Sequence, residues 1–152
     1  MSSPDRHNEA LLRAVRALYD AVDLFDARLA AKLGVDRTAL RAVNAMEDGA
    51  ISPGELGRRL HLASGSVTAL LDRLEQAGHI VRHLSSTDRR RRDAALTPAT
   101  RRQAGERYEA LAAALRAAFA ATEEAELARI IDALDAVSTA FVTSAQTTSL
   151  AD

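Results

Sequence analysis

Four histidines, one lysine and no cysteine set narrow limits on the chemistry open to this chain of 152 residues. Without cysteine there is no disulfide framework, thiolate zinc site, iron–sulfur cluster or thiol redox switch. Lys32 as the sole lysine leaves no Ser-x-x-Lys arrangement, and no nucleophile elbow, His-Glu-x-x-His, P-loop or Rossmann glycine pattern occurs. His79 and His83 are spaced so as to invite a metal. In a strand rising about 3.3 Å per residue their Cα atoms lie roughly 13 Å apart, too far to share one ion. Surface or nucleic-acid-proximal histidines are the better reading, and His7 and His61 have no companion ligand either. The expectation is therefore no metal, no cofactor and no enzyme, since no nucleophile, base and orienting group can be assembled.

Arginine is the residue type that remains in quantity. The net charge of −1 is the sum of −1 over residues 1–51, +5 over 52–107 and −5 over 108–152. A basic island between acidic flanks is the footprint of a fold that turns one part toward phosphate. Its densest stretch is Asp88-Arg89-Arg90-Arg91-Arg92-Asp93. Four consecutive arginines cannot pack in a core; they are either a solvated charge run or a reach toward a nucleic-acid groove or backbone.

The elements that must position this island can be read from apolar spacing. Leu11, Val15, Leu18, Val22, Phe25, Leu29 and Leu33 recur at threes and fours and predict one helix over 7–33, about 40 Å long, ended by Gly34. Asp36 is placed to cap a helix carrying Leu40, Val43 and Met46. Ser52-Pro53-Gly54-Glu55 is a capping box with proline at the first helical position. That short helix, with Leu56 and Leu60, meets a second bearing Val67, Leu70, Leu71 and Leu74 across a tight turn at His61-Leu62-Ala63, the spacing of a helix-turn-helix. After Gly78, Ile80, Val81 and Leu84 and then Ala94, Ala95 and Leu96 read as two strands flanking the arginine loop. Thr97-Pro98 opens a helix through Tyr108, Leu111, Leu115 and Phe119. Thr122 precedes the last, striped by Leu127, Ile130, Ile131, Leu134, Val137 and Phe141, and residues 143–152 are expected to fray.

Only residues 36–97 read as a self-contained core, with 7–33 and 98–142 as flanking helices longer than that core can cover. Their stripes either pack on one another within a monomer or pair two chains, and full-length stripes favour a homodimer with Leu11, Val15, Leu18, Leu134, Val137 and Phe141 at its interface. Residues 1–10 contain Asp5, Arg6 and Glu9 with no uncharged apolar stretch beyond them, and no run reaches the ~20 residues of a membrane span, so a cytoplasmic protein is expected.

The stretch Val67-Thr68-Ala69-Leu70-Leu71-Asp72-Arg73-Leu74-Glu75-Gln76-Ala77-Gly78-His79-Ile80, followed by Asp88-Arg89-Arg90 and Leu96-Thr97, resembles the winged helix-turn-helix of the MarR family of multiple antibiotic resistance regulators. The family's Asp-x-Arg and Leu-Thr elements fall on Asp88, Arg90, Leu96 and Thr97. The resemblance covers nearly the whole chain. It implies a mainly α fold with a small β-hairpin wing, a winged helix-turn-helix flanked by N- and C-terminal dimerisation helices. It also implies a recognition helix over Ser64 to Arg73, with Ser64, Gly65, Ser66, Thr68, Ala69 and Arg73 toward double-stranded DNA. In the wing, Asp88, Arg89, Arg90 and Arg91 would join them, Arg90 entering the minor groove with Asp88 holding its guanidinium; arginine is favoured in a narrow minor groove. The implied function is a homodimeric repressor on an inverted-repeat operator, released by a small aromatic or phenolic ligand. Arg16 and Tyr19 are candidates to line that ligand's site, and Tyr19 equally suits interface packing.

Three positions depart from the family's pattern. Ala69 stands where a basic or polar residue is frequent, Ala63 is a poor N-cap, and His61 occupies a turn position where glycine is usual, although histidine tolerates positive φ better than most residues. Ala69 and the modest net charge also suit a dimeric protein-interaction adaptor that keeps the fold without specific DNA binding.

Overall fold

The computed structural model describes residues 3–84 and 92–148. Helix α1, Ser3–Leu33, stops where Gly34 turns left-handed at φ 68° and the Val35 amide donates back to the Ala30 carbonyl at 3.0 Å. Asp36 then caps α2, Arg37–Ala45, its Oδ1 accepting from the Ala39 amide at 2.8 Å. Ser52 caps α3, Pro53–Leu60, by accepting from the Glu55 amide at 3.2 Å. The other half of the expected capping box does not carry the same partner, for the Glu55 carboxylate is taken up by Arg58 and Arg59 on the next turn. Helix α4, Ser64–Gln76, is closed by Gly78 at φ 77°.

Strands β1, Ile80–Leu84, and β2, Arg92–Leu96, pair antiparallel with Ile80 opposite Leu96 and Leu84 opposite Arg92. Ala94 and Ala95 are weak strand formers by themselves. Position 94 is held from both sides, paired with Arg82 across the hairpin and exchanging two 2.9 Å hydrogen bonds with Ile51 on the other edge, and a small side chain suits a residue buried there. Thr97 caps α5, Pro98–Ala118, and α6 runs from Glu124 to Thr148.

Two boundaries differ from those the sequence predicts. Helix α1 begins at Ser3 instead of residue 7. Helix α6 continues through 143–148, where fraying is expected; these residues lack an apolar stripe, but no glycine or proline intervenes to stop the helix.

The chain divides into two compact units, residues 19–109 and residues 1–18 with 110–152. The first holds the whole core. Leu29, Leu40, Val43, Met46, Leu56, Val67, Leu70, Leu71, Leu74 and Ile80 are all buried there, and Tyr108 packs against them with its ring 5.5 Å from Phe25. In the second unit none of the described residues is buried, and Leu11, Leu12, Leu111, Leu115, Ile131, Leu134, Phe141 and Val142 all stand exposed. No helix among the described residues is long and apolar enough to cross a membrane.

Candidate nucleic-acid interface

The corner between α3 and α4 is built by backbone geometry. His61 ends α3 in the left-handed region at φ 56°, ψ 46°, and the Leu62 amide donates to the Gly57 carbonyl at 2.9 Å. A histidine in this slot carries a steric cost that glycine would not. Glycine is used one turn earlier instead: a Cβ on Gly57 would sit 3.1 Å from the Leu62 carbonyl oxygen and 3.3 Å from Val67 Cγ2, so its absence lets the two helices close. An open groove of about 740 Å³ runs along this corner, lined among others by Gly57, Arg58, His61, Ser64 and Thr68.

Helix α4 buries Val67, Leu70, Leu71 and Leu74 and turns the opposite face outward. Ser64, Gly65, Ser66, Thr68, Ala69 and Arg73 all lie on that exposed face. Ala63 stands at the N-cap position and supplies no side-chain cap. Thr68 Oγ1 donates to the Ser64 carbonyl at 3.1 Å, and Arg73 Nη1 donates to Asp36 Oδ2 at 3.3 Å, so the carboxylate that caps α2 also engages Arg73. On α3, hydrogen bonds from Arg58 and Arg59 hold the Glu55 carboxyl below its ordinary range.

The hairpin lies against α4 through Arg82, a residue that the sequence motifs do not single out. Arg82 reaches Asp72 at 2.5 Å and Glu75 at 3.6 Å. The signal for it lies in the alternation of β1, where Arg82 continues the inward face of Ile80. Asp88, Arg89, Arg90 and Arg91 lie outside the described residues. His79 is satisfied within the fold, its Nδ1 3.2 Å from the hydroxyl of buried Thr100, while His83 is exposed on β1.

Arg16 and Tyr19 are both exposed on α1. The Tyr19 hydroxyl and the Asp23 carboxylate, 2.7 Å away, hold the Arg37 guanidinium above its ordinary range. Beside them Asp23, Asp26, Ala27, Ala30, Arg37 and Leu40 line a cleft of about 240 Å³. Of the stripe residues, Leu11, Leu18, Leu134 and Phe141 are about half exposed, whereas Val15 and Val137 are partly covered.

A short helix, a left-handed turn, a second helix with a polar outer face and an antiparallel hairpin behind it define a winged helix-turn-helix protein. The chain belongs to the MarR family, whose model matches residues 13–91. It is 40% identical over 95 residues to the uncharacterized HTH-type transcriptional regulator YcgE of Bacillus subtilis; the match spans 60% of this chain and 62% of that relative. Among solved structures, a MarR family protein from Bacillus stearothermophilus superposes with a TM-score of 0.68 at 18% identity, covering 93% of this chain and 99% of that one. The YusO protein of Bacillus subtilis gives 0.63 at 22% identity, covering 91% and 99%.

Proposed function

We propose that this protein is a homodimeric DNA-binding transcription regulator, acting as a repressor on an inverted-repeat operator. The observation that carries the reading is the exposed polar face of α4, Ser64, Gly65, Ser66, Thr68 and Arg73, set beside a hairpin whose connection holds Asp88, Arg89, Arg90 and Arg91. Small hydroxyl side chains over a helix's first two turns can read base edges closely, and arginines on an adjacent hairpin supply phosphate or minor-groove contacts. The relative YcgE carries the description HTH-type transcriptional regulator, and a mutant of the S. aureus protein MepR with the same fold (13% identity, TM-score 0.57) is bound to an oligodeoxyribonucleotide.

The exposed apolar residues of α1, α5 and α6 support pairing with a second copy, for a unit with no buried described residue gains its stability by being covered. Two recognition helices related by a two-fold axis meet half-sites about 34 Å apart, or a multiple of that. Release by a small aromatic or phenolic ligand, with Arg16 and Tyr19 among its contacts, completes the proposal.

Fluorescence anisotropy with duplexes from the region upstream of the protein's own coding sequence, at several salt concentrations, tests it. The expected result is preference for one inverted repeat over unrelated duplex, with affinity falling steeply as salt rises. Equal, weak binding to all duplexes overturns the regulator reading and leaves an interaction adaptor.

A further inference from the structure

Strand β1 occupies the outer edge of the small sheet: β2 is hydrogen-bonded to β1 on one side and to Ile51 on the other, while β1 has β2 alone among the described residues. Along β1 the residue that continues the inward face of buried Ile80 is charged. The Arg82 side chain is 20% exposed and crosses to α4, where Nη2 donates to Asp72 Oδ1 at 2.5 Å and Nε lies 3.6 Å from Glu75 Oε2. Asp72 and Glu75 are three residues apart and neighbours on one helix face, so both carboxylates can meet one guanidinium. Nε is shielded from solvent and makes no hydrogen bond among the described residues, which leaves Glu75 as its electrostatic partner.

Other ion pairs of this region have a different character. Arg58 with Glu55 and Arg73 with Asp36 keep their arginines 74% and 64% exposed, and pairs of that kind contribute little. Here the guanidinium is largely withdrawn from water while its two carboxylates stay 59% and 44% exposed; desolvation of the arginine offsets part of the Coulomb gain, so the cluster constrains where Arg82 sits more than it adds stability.

We propose that Arg82 is a positioning residue that fixes the angle between the hairpin and α4, so that wing and recognition helix meet DNA as one rigid reader. The proposal rests on the DNA-binding reading for its function and on the free protein for its geometry, and the two can be tested separately.

The chain has no native cysteine, so nitroxides on cysteines introduced at Ser66 and His83 report the distance between α4 and β1, with excess unlabelled protein added to isolate distances within one chain. Arg82→Gln is expected to broaden that distance distribution while helix content stays constant. The double variant Asp72→Asn with Glu75→Gln, which leaves the strand untouched, should reproduce the broadening; Arg82→Lys, with a single point of contact, should fall between. Anisotropy with unlabelled protein should show Arg82→Gln about tenfold weaker on the upstream inverted repeat, with little change on unrelated duplex. Unaltered distributions in both Arg82→Gln and the double variant overturn the proposal. An equal affinity loss on both duplexes also overturns it, since Arg82 is then a plain phosphate contact. If the wild type shows no preference for any duplex, the regulator reading fails, and the distance measurement alone decides whether Arg82 fixes the hairpin.

Discussion

Ala63→Ser should stabilise the protein, and the size of the gain follows from a comparison inside the molecule. Ser52 opens α3 at φ −75°, ψ 150° and its Oγ accepts from the amide three residues on; Ala63 opens α4 at φ −66°, ψ 153°. The backbone at 63 is already in the capping conformation, so a serine oxygen there is delivered to the Ser66 amide without rearrangement. Ala63 is exposed, so the added atom displaces nothing. Replacing alanine by serine at an N-cap is worth about 1 kcal/mol, within a range of roughly 0.5–2. For a chain of this length that corresponds to a rise of about 2–4 °C in Tm. Urea unfolding at one fixed protein concentration, which keeps any association constant, should show a higher midpoint with an unchanged slope. Ser52→Ala is the internal control and should lower the midpoint by a similar amount. If Ser52→Ala lowers it while Ala63→Ser leaves it where it was, the inference that α4 lacks only a cap oxygen is refuted.

His61→Gly should also stabilise, by up to about 1 kcal/mol, because relief of the left-handed strain outweighs the added freedom of the unfolded chain; loss of stability on thermal unfolding would count against strain at the corner. Glu47→Gln should raise stability at neutral pH. Partial burial, reinforced by Asp48, holds the Glu47 carboxyl above its ordinary range, so the folded state is disfavoured as pH rises through the unfolded and then the folded value. The gain should therefore vanish in acid, below the ordinary carboxylate range, and a gain independent of pH would contradict the cause given. Phe141→Asp should give monomers or insoluble protein, since Phe141, half exposed in one chain, would be buried at the proposed interface, where truncating a phenylalanine costs about 3–5 kcal/mol and a charge adds to that; a stable dimer by sedimentation would remove residue 141 from the proposed interface. Arg90→Ala should weaken operator binding more than Arg92→Ala, and Asp88→Ala should weaken it too; tighter binding by Asp88→Ala would reduce the loop to a generic basic patch.

Helix caps and stops are the most legible part of the sequence because each is a local event: the caps at Asp36, Ser52 and Thr97 and the stops at Gly34 and Gly78 are made with amides or carbonyls within five residues, even though Thr97 also donates to the distant Gly78 carbonyl. The same holds for the deficiency at Ala63 and the left-handed turn at His61. Long-range partners are less legible. Nothing local to Ala94 announces Ile51 as its second neighbour, nor does Arg73 announce Asp36, 37 positions earlier. Arg82 is obscured for another reason: beside four consecutive arginines it reads as one more basic residue, and only its inward register on β1 distinguishes it.

The double hydrogen bond between Ile51 and Ala94 gives the hairpin a direction of unzipping. Ile51 immediately precedes the Ser52 cap, so β2 cannot leave without also freeing the chain that starts α3, whereas the far end of β1, exposed His83 and Leu84 beyond the Arg82 anchor, can fray from the outer edge with the helix corner intact. Local opening should therefore be graded across this sheet. In native-state hydrogen exchange the Ile51 and Ala94 amides should open together with the first turn of α3, as one cooperative unit of high protection, and the amides of His83 and Leu84 at the far end of β1 should exchange through smaller, cheaper fluctuations.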